Sequence, residues 1–271
     1  MQSYLYWAKE VGSPSRGMVI PPPKEKYGFW FPAPLDKFLA DGDICPICDG
    51  WQQVSGYYCL CSTLRWIERI GEEIAEQQIP VTPADFHMVP MQSKDPGRQR
   101  KYDEMFTDLE DKLAWIENWV EYPSSWIAMF GPNGVGKTHI LRAIKTKMPN
   151  VSFFISASDF SSRVFSGLSD HSYEEFITFV ETVPILLLDD WGLEHQSSMP
   201  IDALAAVIDK RYSHSAEFPV VITSNNTGVF DSPDIAIRRI ASRVGDRQIC
   251  KRFLIDSADF RLSDAQRNLN S

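Results

Sequence analysis

Gly131-Pro132-Asn133-Gly134-Val135-Gly136-Lys137-Thr138 is the stretch from which the rest of the chain is read. It fits the pattern G-x-x-x-x-G-K-[ST] in full. Glycines let a backbone curl until several N–H groups point at one anion, and a helix starting there adds the positive end of its dipole. An apolar run, 125–130 (SWIAMF), stands before the octapeptide, and a helical pattern, 137–147, follows it. In that context the octapeptide reads as a phosphate cradle. Gly131, Asn133, Gly134, Val135 and Gly136 wrap the anion, Lys137 reaches the β- and γ-phosphates of a nucleoside triphosphate, and the Thr138 hydroxyl ligates Mg2+.

Outward from the loop, short apolar runs alternate with helical patterns. Strands are expected at 125–130, 151–156 (VSFFIS), 184–189 (PILLLD), 219–224 (PVVITS) and 248–255 (QICKRFLI). Helices are expected at 137–147, 158–168, 172–181, 200–212 and 233–243. Near-continuous apolar strands separated by helices predict an α/β fold, a five-stranded parallel sheet covered by helices on both faces. Ahead of it, Tyr102, Met105, Phe106, Leu109, Leu113, Ile116 and Val120 recur on one face of a helix over 98–121.

Three further features bear on chemistry. Residues 185–190 read Ile-Leu-Leu-Leu-Asp-Asp, a buried strand ending in two carboxylates. Beside a phosphate loop, Asp189 suits the Mg2+ role and Asp190 suits polarising the attacking water. The next strand ends in Ser224-Asn225-Asn226. Its position relative to the acidic strand makes Asn225 a candidate for orienting water at the γ-phosphate; the plainer reading is a turn residue. In 237–244 (IRRIASRV), Arg239 and Arg243 stand at i, i+4 on a helix, with only Asp231 and Asp234 as carboxylates before them at helical spacing. An arginine supplied across a subunit interface stabilises the charge of phosphoryl transfer. The alternative is a salt-bridged surface face.

GPNGVGKTH, ILLLDDWGLE, the IDKRY that follows, VVITSN, and RRIASRV with a terminal DFR together resemble one family. This is the AAA+ ATPases of the DnaC/DnaI helicase-loader group, which also includes the transposition helper IstB. The resemblance covers roughly 79–262, beginning with IPVTPADF. It implies a P-loop AAA+ core that binds ATP with Mg2+, with His139 beside the loop. It implies that Asn225 senses the γ-phosphate, that Arg239 is a finger acting on a neighbouring subunit's nucleotide, and that Arg243 is its companion. Many such ATPases carry Glu where Asp190 stands, and the shorter side chain predicts slow or partner-dependent hydrolysis. The resemblance also implies ATP-dependent helical or ring-like homo-oligomers that contact single-stranded DNA and open or hold a replicative helicase; in the IstB branch the client is a transposase. With few residues after Arg261, a core without the C-terminal helical lid that many AAA+ proteins carry is expected. A small-molecule kinase and a non-hydrolysing scaffold are the readings from other classes; no acceptor pocket or arginine-bearing lid is legible for the former.

The N-terminal part reads differently. Residues 1–40 interleave Pro21, Pro22, Pro23, Pro32 and Pro34 with Tyr27, Phe29, Trp30 and Phe31, an extended arm without helical or strand period. Cys45, Cys48, Cys59 and Cys61 give C-x2-C-x10-C-x-C, four thiolates able to close a tetrahedral Zn2+ site, with free or redox cysteines as the alternative. Loaders of the DnaI type carry such a module to grip the helicase, so the resemblance points the same way. A helix is expected at 62–78 and a proline-rich connector at 79–97. The expected division is therefore 1–97, arm, zinc module and connector, and 98–271, ATPase domain.

Of 271 residues, 44% are hydrophobic and 23% charged, which excludes wholesale disorder and collagen-like repeats. A net charge of −9 is not that of a protein that coats nucleic acid, yet 238–271 carries 8 basic and 4 acidic residues and is suited to face phosphates. The odd count of five cysteines argues against a secreted disulfide framework. No secretory signal or membrane-spanning run is legible, so a cytoplasmic protein is expected.

Overall fold

Five strands join in one parallel sheet. The computed structural model describes residues 53–54, 57–58, 72–78, 80–121, 123–192, 198–215, 218–257 and 259–260. A short antiparallel pair, β1 (Gln53–Val54) with β2 (Tyr57–Tyr58), precedes the main body. Helix α1 (Pro96–Glu121) leads into β3 (Trp126–Phe130), the phosphate loop and α2 (Lys137–Lys147). Then come β4 (Ser152–Ser156), α3 (Ala157–Asp170), α4 (Tyr173–Thr182) and β5 (Ile185–Asp189). The chain continues through α5 (Ser198–Tyr212), β6 (Val220–Ser224), a 3-10 turn (Thr227–Asp231), α6 (Ile235–Gly245) and β7 (Cys250–Leu254). The five expected strands and the helices expected from residue 98 onward are all present, with bounds shifted by a few residues at most.

The strand order is β4-β5-β6-β3-β7. After β3 the chain crosses to the far edge, walks back through β5 to β6, then places β7 on the other side of β3. A ligand crevice forms where strand order reverses, outside the carboxyl ends of the strands. Here β6 lies between the loop-bearing β3 and the acidic β5. The ends of all three therefore converge.

Period-two alternation builds a core on each face of the sheet. Trp126, Ala128 and Phe130 of β3 join one cluster with residues of α3, α4, α5 and α6, while Ile127 and Met129 join another with α1 and α2. Strands β3, β5 and β6 are buried at every residue, which is why they read as apolar runs, broken only at the carboxyl ends by Asp189 of β5 and by Thr223 and Ser224 of β6. Edge strand β7 instead exposes Lys251, Arg252 and Leu254. Helix starts are fixed locally: Ser156 accepts from Asp159 N at 3.0 Å, and Asp234 accepts from Ala236 N at 2.8 Å and Ile237 N at 3.1 Å.

Three contacts tie the flanks to this core. Residues 72–77 are helical, with Ile74 buried; positions 62–71 of the expected helix lie outside the described residues. Gln78 then pairs with edge strand β4 as another strand would. Its Nε2 donates to Phe154 O at 3.0 Å, and its Oε1 accepts from Phe154 N at 3.1 Å. The proline-rich segment after it is irregular but docked: Phe86 is buried, and Ala84 N donates to Thr146 Oγ1 of α2 at 3.1 Å. Within the core, the fully buried Arg211 bonds five carbonyls. Its Nη1 reaches Val180, Glu181 and Val183 at 3.0, 3.3 and 2.8 Å, and its Nη2 reaches Pro184 and Pro219 at 3.3 and 2.9 Å. Burial pushes its pKa down to about 9, so it stays cationic at neutral pH, facing the negative end of α4.

Candidate active site

The loop owes its shape to glycine twice over. Gly134 and Gly136 have φ of 82° and 96°, which side chains other than glycine rarely adopt. Space is also lacking. A Cβ on Gly134 would stand 1.9 Å from an Asp259 carboxylate oxygen, and one on Gly136 would stand 2.4 Å from Met88 Cε. Phe260 N also donates to Gly134 O at 3.0 Å. Segments far apart in sequence thus brace the loop from both sides. Val135 is buried inside it, and Asn133 lines the cleft the loop borders.

Lys137, the first residue of α2, is 6% exposed. Its ammonium donates to Gly131 O and Pro132 O, each at 2.8 Å, and to Asn225 Oδ1 at 2.5 Å. Asn225, just beyond β6, donates in turn through Nδ2 to Asp190 Oδ1. Lys137, Asn225 and Asp190 therefore form one hydrogen-bonded line across three neighbouring strand ends.

Thr223, near the end of β6, organises the acidic pair. Its hydroxyl donates to Asp189 Oδ1 at 2.6 Å and accepts from Asp190 N at 2.9 Å. Asp189 is 7% exposed, whereas Asp190 has a left-handed backbone (φ 61°) and is exposed. One carboxylate is thus held inside and the next turned toward Asn225. Lys137, Thr138, Asp189, Asp190 and Asn225 line a common cleft of about 470 Å³. Two oxygen-bearing side chains, Thr138 and Asp189, sharing one cleft with Lys137 and the Gly-rich loop suit a magnesium–phosphate group.

Part of the cleft lining is not legible in sequence. His87, Met88 and Val89 of the docked segment line it together with Arg142 of α2 and Phe260. His139 also lines it, and its Nε2 lies 2.8 Å from Asp85 O. Arg142 Nε is buried and has no hydrogen-bond partner among the described residues. A periodicity search cannot find such residues, because each comes from a different part of the chain.

Arg239 and Arg243 do not line this cleft. Both bind Asp209 of α5: Arg239 Nη2 at 2.5 Å from Oδ2, and Arg243 Nε at 3.0 Å from Oδ1. Burial opposes ionisation of Asp209, but the two arginines outweigh it and hold its carboxyl below the usual range. Arg243 also lies 4.6 Å above the Tyr212 ring, and Tyr212 OH donates to Asp246 Oδ2 at 2.7 Å. Of the two carboxylates at helical spacing, Asp234 caps α6. The neutralising partner comes instead from another helix, within the IDKRY stretch. Cys45, Cys48, Cys59 and Cys61 lie outside the described residues. Cys250 is buried, and desolvation pushes its thiol up to about 12.

A Gly-rich loop opening a helix, an acidic strand end two places away and a polar strand end between them define a P-loop nucleotide-binding domain. Residues 127–248 match the ATPase family associated with various cellular activities (AAA), and this part of the chain is an AAA ATPase domain. It is homologous to the replicative helicase loader DnaI of Bacillus subtilis, with 27% identity over 131 residues, 44% of this chain and 42% of that one. A putative ATP-binding protein in an insertion sequence of Mycobacterium tuberculosis is 28% identical over 140 residues, 49% of this chain and 53% of that one. The chain spans about half the length of these curated relatives. Among solved structures, the DnaC helicase loader aligns over 64% of this chain and 97% of its own, at 23% identity and a TM-score of 0.48.

Proposed function

We propose that the chain is an ATP-hydrolysing helicase loader, whose copies assemble with ATP on single-stranded DNA and deliver or remodel a replicative helicase. The observation that carries the reading is the hydrogen-bonded line Lys137–Asn225–Asp190 at three adjacent strand ends. Lys137 would hold the β- and γ-phosphates, Thr138 and Asp189 would hold Mg2+, and Asn225 and Asp190 would orient and polarise the attacking water. The metal supplies charge neutralisation on the phosphates when bound.

Arg239 and Arg243 would complete the site of a neighbouring copy. They lie outside their own cleft with 46% and 37% of their side chains exposed. Ile235, one turn before Arg239, is 69% exposed, which suits a contact face. The basic C-terminal block would face DNA phosphates. Cys45, Cys48, Cys59 and Cys61 would bind Zn2+ in a module that engages the client, part of the 1–97 arm, zinc module and connector ahead of the ATPase domain at 98–271. The homologous helicase loader supports this client.

The relative in an insertion sequence favours a second reading, the same ATPase serving a transposase. Mass in solution, measured with and without ATP and single-stranded DNA, tests the assembly. A rise in mass with ATP that Lys137→Ala abolishes supports it; an unchanged monomer with every addition overturns it. Capture of a purified replicative helicase rather than a transposase separates the two clients, and one Zn2+ per chain by elemental analysis tests the cysteines.

A further inference from the structure

Two guanidinium groups one helical turn apart repel each other, and like charges at this spacing destabilise a helix. Arg239 and Arg243 are so placed on α6, where the carboxylate of Asp234 is engaged as the N-cap. The charge that gathers them comes from Asp209, which takes one nitrogen of each guanidinium on a separate oxygen, at 2.5 and 3.0 Å. That carboxylate stands on a fixed base. Two residues further along α5, Arg211 bonds five carbonyls around the end of α4 and the starts of β5 and β6. Tyr212 supports Arg243 from its ring face, and its own hydroxyl is anchored on Asp246.

We propose that Asp209 is a positioning residue that fixes Arg239 and Arg243 as one cationic head, which α6 presents to the triphosphate held by a second copy of this chain. The inference rests on the reading of the two arginines given above. Arginine is a long, rotamer-rich side chain, and ordering it beforehand removes that cost from the assembled site. Each guanidinium has further N–H donors beyond the nitrogen that Asp209 engages. Asp209 does not line its own cleft, so its effect is exerted in the neighbour's site.

The test uses the full chain carrying Asp209→Ala, and Asp209→Asn as the variant that keeps side-chain volume should the first fail to fold. At protein concentrations that saturate the unsubstituted chain, kcat for ATP falls about 10- to 100-fold. KM and the affinity for a fluorescent ATP analogue change less than about twofold, because substrate is held by the other side of the interface. Mixing with Lys137→Ala protomers, which keep Asp209 and both arginines, restores hydrolysis; mixing with the double variant Lys137→Ala/Asp209→Ala does not. An unchanged or faster kcat, or no recovery on mixing, overturns the proposal. Arg239→Ala and Arg243→Ala are measured alongside. If they lower kcat and the Asp209 variants do not, the positioning role alone fails. If neither arginine variant lowers kcat, the reading of a shared site fails, and this inference with it.

Discussion

The phosphate-loop cleft and the α5–α6 surface are both built from charged side chains, and they were built in different ways. In the cleft, Lys137, Asp189 and Asn225 are each announced by their neighbours in sequence: a glycine turn before Lys137, an apolar strand before Asp189, another before Asn225. At the α5–α6 surface, Arg239 and Arg243 depend on a carboxylate some thirty residues earlier, which no local pattern marks. The difference teaches that Lys137, Asp189 and Asn225 are marked by their local sequence, whereas the setting of Arg239 and Arg243 comes from packing between helices.

Substitutions can break that contrast, and the largest effect belongs to the cleft. Lys137→Ala removes the charge-assisted bonds to Asn225 and the loop carbonyls. Hydrolysis should fall by about 100-fold or more, with the melting temperature of the nucleotide-free protein little changed. A calorimetric scan beside a phosphate-release assay checks both halves.

Arg211→Met should act in the opposite sense, on folding rather than turnover. It strands several buried carbonyls at once, and a loss of about 3 kcal/mol or more is expected in urea unfolding. A change under about 1 kcal/mol would mean that those carbonyls find other donors.

Thr223→Val sharpens the account of the acidic pair. It keeps shape but removes the hydroxyl shared by Asp189 and the Asp190 backbone. Hydrolysis should drop about tenfold with ATP affinity nearly retained, seen as a lower kcat at constant KM. The smallest effect is at the sheet edge. Gln78→Ala loses both bonds to Phe154, costs about 1 kcal/mol, and raises amide exchange at Phe154.

Legibility followed the range of the interactions. The strands are readable because β3, β5 and β6 are buried on both faces and so stay apolar up to their carboxyl ends, where Asp189, Thr223 and Ser224 stand. The octapeptide was readable because positive φ at Gly134 and Gly136 admits little else. In sequence Thr223 reads only as part of a strand end; its service to both aspartates depends on β6 lying beside β5, and strand order is not written in any one segment. His87, Met88 and Phe260 were missed because chain segments on either side of the domain fold over the same loop. The 79–97 stretch read as a connector by its prolines. Its described residues 80–95 form no helix or strand, Pro96 and Gly97 open α1, and His87, Met88 and Val89 are part of the cleft wall.

The central claim is that a triphosphate held by one copy is acted on by arginines of the next. The most direct measurement is the hydrolysis rate per protomer as the protein is diluted, with Lys137→Ala and Arg239→Ala then mixed in equal amounts. The account predicts a rate per protomer that falls on dilution, two variants inactive alone, and activity that returns on mixing. A rate independent of concentration, with no recovery in the mixture, would contradict it.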